Sequence, residues 1–258
     1  MTARICILDY GMGNLRSVEK ALEHVGAGAT IASDAETVRA ADGLILPGVG
    51  AFPKAMQRVR ELGLDELIAE RRDTGVPVLG ICLGLQLLFE STTELGGADG
   101  VGLLPGGVAE LDAEGLKVPH IGWSPVRWEK GSRLTEGIAS ETPFYFVHTF
   151  APRPQDSDLL GSAAYGARFA CAAERDNVYG VQFHPEKSSA AGLRLLSNFA
   201  GICAKSPSEH LRVRLASAGP SGARTQGGRI AALFGRLRTP HRAVSAAARR
   251  ARRCSDGL

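Results

Sequence analysis

Four short apolar runs punctuate the first third of the chain: ARICILDY (residues 3–10), ATIAS (29–33), GLILPG (43–48) and VPVLGI (76–81). They are short, and most are nearly continuous in apolar side chains, which is the pattern of strands covered on both faces. Between them the period changes. GMGN makes a tight turn, after which Leu15, Val18, Leu22 and Val25 recur at helical spacing, with Asn14 at the N-cap position and Gly26 as the stop. A helical stretch from about Pro53 to Arg72 follows, with a break at Gly63. Another helix starts at Leu83, directly after the strand that ends at Cys82, and is expected to run through Phe89. This alternation predicts an α/β fold with a mostly parallel central sheet flanked by helices.

From about Val118 the texture is different. PHIGWSPVRW (119–128), TPFYFVHTF (142–150), ARFACAAER (167–175) and NVYGVQFH (177–184) read as shorter strands in a mixed or antiparallel region. A last helix, about 189–203, closes a domain of residues 1–204.

Charge marks the boundary more sharply than hydropathy does. The whole chain carries 30 basic and 27 acidic residues. Residues 205–258 hold twelve of the basic residues and only Glu209 and Asp256, leaving 18 basic against 25 acidic in residues 1–204. The tail is rich in Arg, Ala and Gly, and Lys205 is its only lysine. IAALFGRL (230–237) has the spacing of one short basic helix, but the segment has too few large apolar residues to build a core. Residues 205–258 are therefore expected to be disordered, or an out-of-frame translation of GC-rich DNA. Arginine-rich tails bind phosphate backbones, but apart from Phe234 this one lacks interleaved aromatics, so no nucleic-acid partner is expected.

Composition is that of an ordinary globular protein, 44% hydrophobic and 22% charged. No apolar run approaches the roughly 18–20 residues of a membrane helix, and the N-terminus carries no signal-peptide pattern, so a cytoplasmic protein without membrane contact is expected. The five cysteines are widely spaced and form no C-x-x-C pair. Neither a zinc site nor a disulfide framework is indicated, and no metal or cofactor is expected.

One cysteine stands apart. GICLG, residues 80–84, places Cys82 between a buried strand and a helix with small residues on both sides. G-x-C-x-G is the thiol counterpart of the strand–nucleophile–helix elbow, which exposes a nucleophile beside the free N–H groups of a helix start. An elbow at the carboxyl end of a parallel strand also sits where open α/β sheets carry their sites.

Such a thiol needs a base. His24 lies on a polar helix face, and His210 and His241 are in the tail. His120 and His148 stay candidates. His184, in QFHPE, follows a strand on which Gln182 shares its side, and in an extended segment Glu186 shares it too. That gives a Cys82–His184–Glu186 triad, with the base 102 residues after the nucleophile. Acyl transfer also needs oxyanion donors. The Leu83 N–H is one, and the glycine-rich LPGVGAF (46–52) is the candidate source of a second.

These pieces resemble the class I glutamine amidotransferases, and more narrowly the glutaminase subunit of imidazole glycerol phosphate synthase. DYGMGNLRS, LPGVGAF, GICLGLQLLFE, VPHIGW, FYFVHTF and YGVQFHPEKS occur in that family's order over residues 3–203. The resemblance implies a flavodoxin-like amidotransferase fold and a glutamyl thioester on Cys82, with His184 moving the proton and Glu186 orienting it. It further implies an oxyanion hole of Val49, Gly50 and Leu83, and glutamine contacts from Gly48, Gly50, Gln86, His148, Thr149 and Phe150. Ammonia would pass to a (β/α)8-barrel cyclase subunit in a heterodimer, with Asn14 and Trp123 near the interface. The cyclase would use it to make imidazole glycerol phosphate and aminoimidazole carboxamide ribotide. Two residues depart from the family pattern: Ser124 stands where asparagine is expected, and Phe150 where tyrosine is usual.

Other readings stay open at this stage. A paralogue could feed a different ammonia acceptor. A cysteine hydrolase or peptidase could use the same triad, although no extra substrate domain is visible.

Overall fold

The computed structural model describes residues 2–204; the tail reading above lies outside the described residues. The first half alternates β1 (Arg4–Leu8), α1 (Leu15–His24), β2 (Gly28–Ala32), α2 (Ala35–Ala40), β3 (Gly43–Gly48), α3 (Phe52–Glu61), α4 (Leu64–Asp73), β4 (Val78–Cys82) and α5 (Leu83–Leu87). The second half runs β5 (Phe89–Thr92), β6 (Ala98–Asp99), β7 (Leu104–Glu110), β8 (His120–Trp128), β9 (Thr142–His148), β10 (Phe150–Pro154), β11 (Leu159–Tyr165), β12 (Ala167–Arg175), β13 (Val178–Val181) and α6 (Ser189–Cys203).

Nine strands form one sheet in the order β2-β1-β3-β4-β13-β12-β11-β8-β9. The first five are mutually parallel and reproduce the 2-1-3-4-5 order of flavodoxin-like sheets, with β13 in the fifth place. The remaining four pair antiparallel. Strand alternation divides the apolar residues of the parallel part between two cores. Ile5, Ile7, Ile45, Leu79 and Ile81 pack with α1 and α6. Cys6, Leu8, Leu44, Leu46 and Val78 pack with α2 to α5. This is the two-sided cover that the continuous apolar runs predict.

Several elements differ from expectation. Helix α5 stops at Leu87, and Phe89 opens a strand of a small second sheet, ordered β10-β7-β5-β6. TPFYFVHTF is not one strand: β9 ends at His148, and Phe150 starts β10, paired with Glu110 of β7. The chain thus changes sheets at Thr149. The strands of the small sheet carry sequences such as LPGGVAE and FAPRP, whose Gly and Pro content hides strand character. Asn14 occupies the N-cap position of α1, but its side chain makes no capping bond. Helix α2 was too short to show a period, and is capped by Asp34, whose carboxylate accepts the Thr37 N–H. The break at Gly63 is present, at φ +64°.

Candidate active site

Parallel pairing brings the two distant motifs together. β4 ends at Cys82, and β13 lies beside it with Val181 in register with Ile81. A gap of a hundred residues closes across one inter-strand spacing of about 4.8 Å. β3 flanks β4 on its other side, with Gly48 in register with Cys82. The carboxyl ends of three adjacent strands therefore supply the candidate nucleophile, the candidate base and the glycine-rich loop.

Cys82 sits at φ +55°, ψ −113°, a conformation that residues with a side chain rarely adopt. The flanking glycines are dictated by contact. A Cβ on Gly84 would lie 1.6 Å from the Leu46 carbonyl oxygen, and one on Gly80 would lie 2.6 Å from the Leu85 backbone. A side chain at either position would lift α5 off the sheet and with it the elbow.

His184 Nδ1 is 2.8 Å from Glu186 Oε1, and both side chains are almost wholly buried. The extended geometry expected for this pair is corrected by the structure. Pro185–Lys187 is a 3₁₀ turn, and the turn returns the carboxylate to the ring. Bonding at Nδ1 leaves Nε2, which has no hydrogen-bond partner in the resting arrangement, available on the other side of the ring. Burial acts to lower the His184 pKa. Attraction to the Cys82 sulfur and the Glu186 carboxylate outweighs it and pushes the imidazolium up to about 9. Ser188 fixes the ring's backbone: its hydroxyl donates to the His184 carbonyl at 2.6 Å and accepts the Tyr145 N–H at 3.0 Å. The His184 N–H donates to the Tyr145 carbonyl at 2.9 Å.

Cys82 and His184 open onto a cavity of about 280 Å3. Val49, Gly50, Leu83, Gln86, His148, Thr149 and Phe150 all line it. Leu83 is the first residue of α5, where a backbone N–H has no partner within the helix. Gly50, at φ +101°, has a conformation that glycine alone adopts easily, and Val49 beside it is half-exposed. Gly48 is different. It does not line the cavity but lies buried in β3, where a Cβ would meet the Tyr10 hydroxyl and Leu83. Gln86 also departs from a simple substrate contact. Its Nε2 is already 3.0 Å from both the Phe150 carbonyl and Gln182 Oε1.

Three further wall residues were not among the expected site residues: Glu94, which lies in no quoted motif, and Pro119 and Val147, which lie inside VPHIGW and FYFVHTF. Glu94 Oε2 accepts the Phe52 N–H at 2.8 Å, which anchors an acidic group on the wall.

The other two candidate bases are occupied with each other. His120 and His148 face one another across β8 and β9. His120 Nδ1 is 3.1 Å from His148 Nε2, His120 Nε2 is 2.9 Å from Ser124 Oγ, and His148 Nδ1 is 2.8 Å from the Phe150 carbonyl. Burial holds both imidazoles below their ordinary value, His148 down to about 4. On the outer face of β8, Ile121 and Trp123 are exposed, as is Asn14 at the start of α1.

A larger cavity of about 540 Å3, between β7, β10, β11 and β12, holds Arg153 and Arg168 but none of the expected site residues. Among the described residues there is no cluster of three or more His, Cys, Asp or Glu side chains able to hold a metal ion. No helix among them is long and apolar enough to cross a membrane.

A cysteine elbow on a flavodoxin-ordered sheet, facing a histidine–carboxylate pair, describes a class of enzyme, and the sequence agrees. The profile of the glutamine amidotransferase class-I family matches residues 6–202, and the chain belongs to that family. Its relatives narrow the resemblance further. Imidazole glycerol phosphate synthase subunit HisH of Moorella thermoacetica is 50% identical over 199 residues, 77% of this chain and 94% of that protein. The HisH subunit of Nitrosospira multiformis is 47% identical over 205 residues, 76% and 96% of the two chains. The solved structures share the fold at greater distance. A glutamine amidotransferase crystal structure superposes with a TM-score of 0.61 at 21% identity, covering 76% of this chain and 98% of that one. PurLQS from Thermotoga maritima gives 0.63 at 19% identity, covering 78% and 99%.

Proposed function

We propose that this protein is the glutaminase subunit of imidazole glycerol phosphate synthase in histidine biosynthesis. It hydrolyses glutamine to glutamate and ammonia and passes the ammonia to a (β/α)8-barrel cyclase subunit. The observation that carries the reading is the strained Cys82 at the mouth of a small cavity, opposite the buried His184–Glu186 pair. HisH relatives that are themselves matched over 94% and 96% of their length supply the pathway.

In this reading the Cys82 thiolate attacks the side-chain amide carbon of glutamine. The developing oxyanion is held by the Leu83 N–H and a backbone donor from the Val49–Gly50 segment. The His184 imidazolium gives its proton to the amide nitrogen, the C–N bond breaks, and ammonia leaves a glutamyl thioester. His184, now neutral, takes a proton from water as the water attacks the thioester, releasing glutamate and restoring the thiolate. Glu186 keeps the proton of Nδ1 in place and stabilises the imidazolium. Glu94 gives the cavity wall a carboxylate suited to an α-ammonium group. A cavity of about 280 Å3 is at the lower end of ligand sites and suits a free amino acid better than a polypeptide, which disfavours a peptidase. Trp123 and Asn14 are assigned to the cyclase-facing surface, both being exposed.

The test is glutamate release from glutamine with and without a cognate liganded cyclase, the ligand being its ribonucleotide and Cys82→Ala the control. Strong stimulation by the liganded cyclase, abolished in the variant, is the expected result. Undiminished release by Cys82→Ala would refute the assignment.

A further inference from the structure

The environment of the Cys82 sulfur contains one group that the triad does not use. Gln182 is fully buried, and its Nε2 lies 3.7 Å from Cys82 Sγ. Which end of a side-chain amide faces a neighbour is settled only by its other bonds. Here those bonds lead back to a backbone carbonyl. The Phe150 oxygen can only accept, so Gln86, 3.0 Å away, must present its nitrogen to it. The second N–H of that nitrogen then points to Gln182 Oε1 at 3.0 Å. With its oxygen taken, Gln182 has only its NH2 group left to turn toward the sulfur. Flipping Gln86 would set oxygen against oxygen, and flipping Gln182 would set one NH2 group against the other, both in a buried site.

The same carbonyl is held from a second side. His148 Nδ1 must donate to it at 2.8 Å, so in the neutral ring Nε2 accepts from His120 Nδ1 at 3.1 Å. His120 Nε2 then accepts from the Ser124 hydroxyl at 2.9 Å. Every group in the series from Ser124 to Gln182 has one assigned direction.

We propose that this ladder makes Gln182 a further catalytic residue, whose fixed N–H donates to the Cys82 sulfur and favours the thiolate, with Gln86 and His148 as its positioning residues. The proposal rests on Cys82 being the nucleophile and specifies how its sulfur is prepared. A hydrogen bond to the charged form lowers a thiol pKa, and more so in a site shielded from water. The opposing influence is the Val147 carbonyl, 3.9 Å from Sγ, which favours the protonated thiol. The other titratable groups facing the sulfur are His184, backed by Glu186, and Tyr10, with His148 and Glu94 on the cavity wall. Burial raises the Tyr10 phenol and lowers His148 to about 4, so neither changes charge across the neutral range. His184 is retained in every variant below.

The test measures thiolate formation without reference to glutamine. The full chain is alkylated with iodoacetamide across pH 5–9.5, and the rate at the Cys82 peptide is followed by mass spectrometry. For Gln182→Leu the pH midpoint is expected to rise by about one unit, a tenfold smaller thiolate fraction on the acid side of the midpoint. Gln182→Glu, nearly identical in shape, should raise it further by placing a carboxylate against the sulfur, and it stands in for Leu if that variant does not fold. Midpoints in both variants equal to that of the unaltered protein would overturn the proposal. A shifted midpoint in a protein that hydrolyses no glutamine would uphold it while refuting the glutaminase reading.

Discussion

At the scale of single residues, the backbone of Cys82 makes a prediction that its chemistry does not. A side chain held at φ +55°, ψ −113° stores about 1–3 kcal/mol of strain, and alanine inherits that strain because it keeps the Cβ. Glycine does not, at the expense of about 0.4–1 kcal/mol of extra freedom in the unfolded chain. Cys82→Gly should therefore be more stable than Cys82→Ala by about 1 kcal/mol in urea unfolding, although both lack the nucleophile. A less stable glycine variant would mean that the elbow is relaxed. This site was readable in the sequence because its steric demand leaves a mark: Gly80 and Gly84 have no room for any other residue. Glu186 was readable too, but through the wrong geometry, since a 3₁₀ turn rather than an extended segment brings it to His184. Glu94 and the role of Gln182 were not readable. Their positions matter only through contacts with residues about 40 and 100 places away, Phe52 and Cys82.

At the scale of elements, the proposed base, His184, is held by a joint. Ser188 links the turn after β13 to strand β9 through two bonds, one donated to His184 and one accepted from Tyr145. Ser188→Ala leaves the partly buried Tyr145 N–H without its side-chain acceptor and the buried His184 carbonyl without its donor. A loss of about 1–3 kcal/mol is expected in denaturant unfolding. Glutamine turnover should fall in parallel as the imidazole loses its fixed seat. Unchanged stability would show the joint to be redundant. The first four parallel strands and α6 could be read from apolar runs and helical period, whereas the parallel pairing of β13 with β4 could not. The switch of sheets at Thr149 could not: TPFYFVHTF has the pattern of one strand, and only the pairing of Phe150 with Glu110 breaks it. That break is what turns His148, Thr149 and Phe150 toward the cavity.

At the scale of the whole molecule, two imidazoles oppose each other in the response to pH. His148 is held down at about 4, so below its ordinary value of 6.5 the unfolded chain takes up a proton that the folded chain refuses. Stability must fall as pH drops from 6.5 to 4, by about 2–4 kcal/mol from this residue. His184 works the other way. Raised to about 9, it contributes its full stabilisation below 6.5 and loses it as pH rises through 9. Urea midpoints measured at pH 6.5, 5 and 4 should drop steadily in that order for the unaltered protein and less steeply for His148→Gln. Equal slopes would show that His148 takes its proton as readily when folded.

Strand order has a consequence for the chain as it is made. β13, the last strand among the described residues, enters the middle of the sheet between β4 and β12. A polypeptide emerging from the ribosome therefore delivers Cys82 long before the slot beside it is filled. Any product that stops short of Val178 has a thiol with neither its proposed base nor its central neighbour. Under the proposed function such fragments have no means of consuming glutamine. The strand that completes the architecture also brings in the proposed base, so under the proposed function activity begins with the finished domain and not with its pieces.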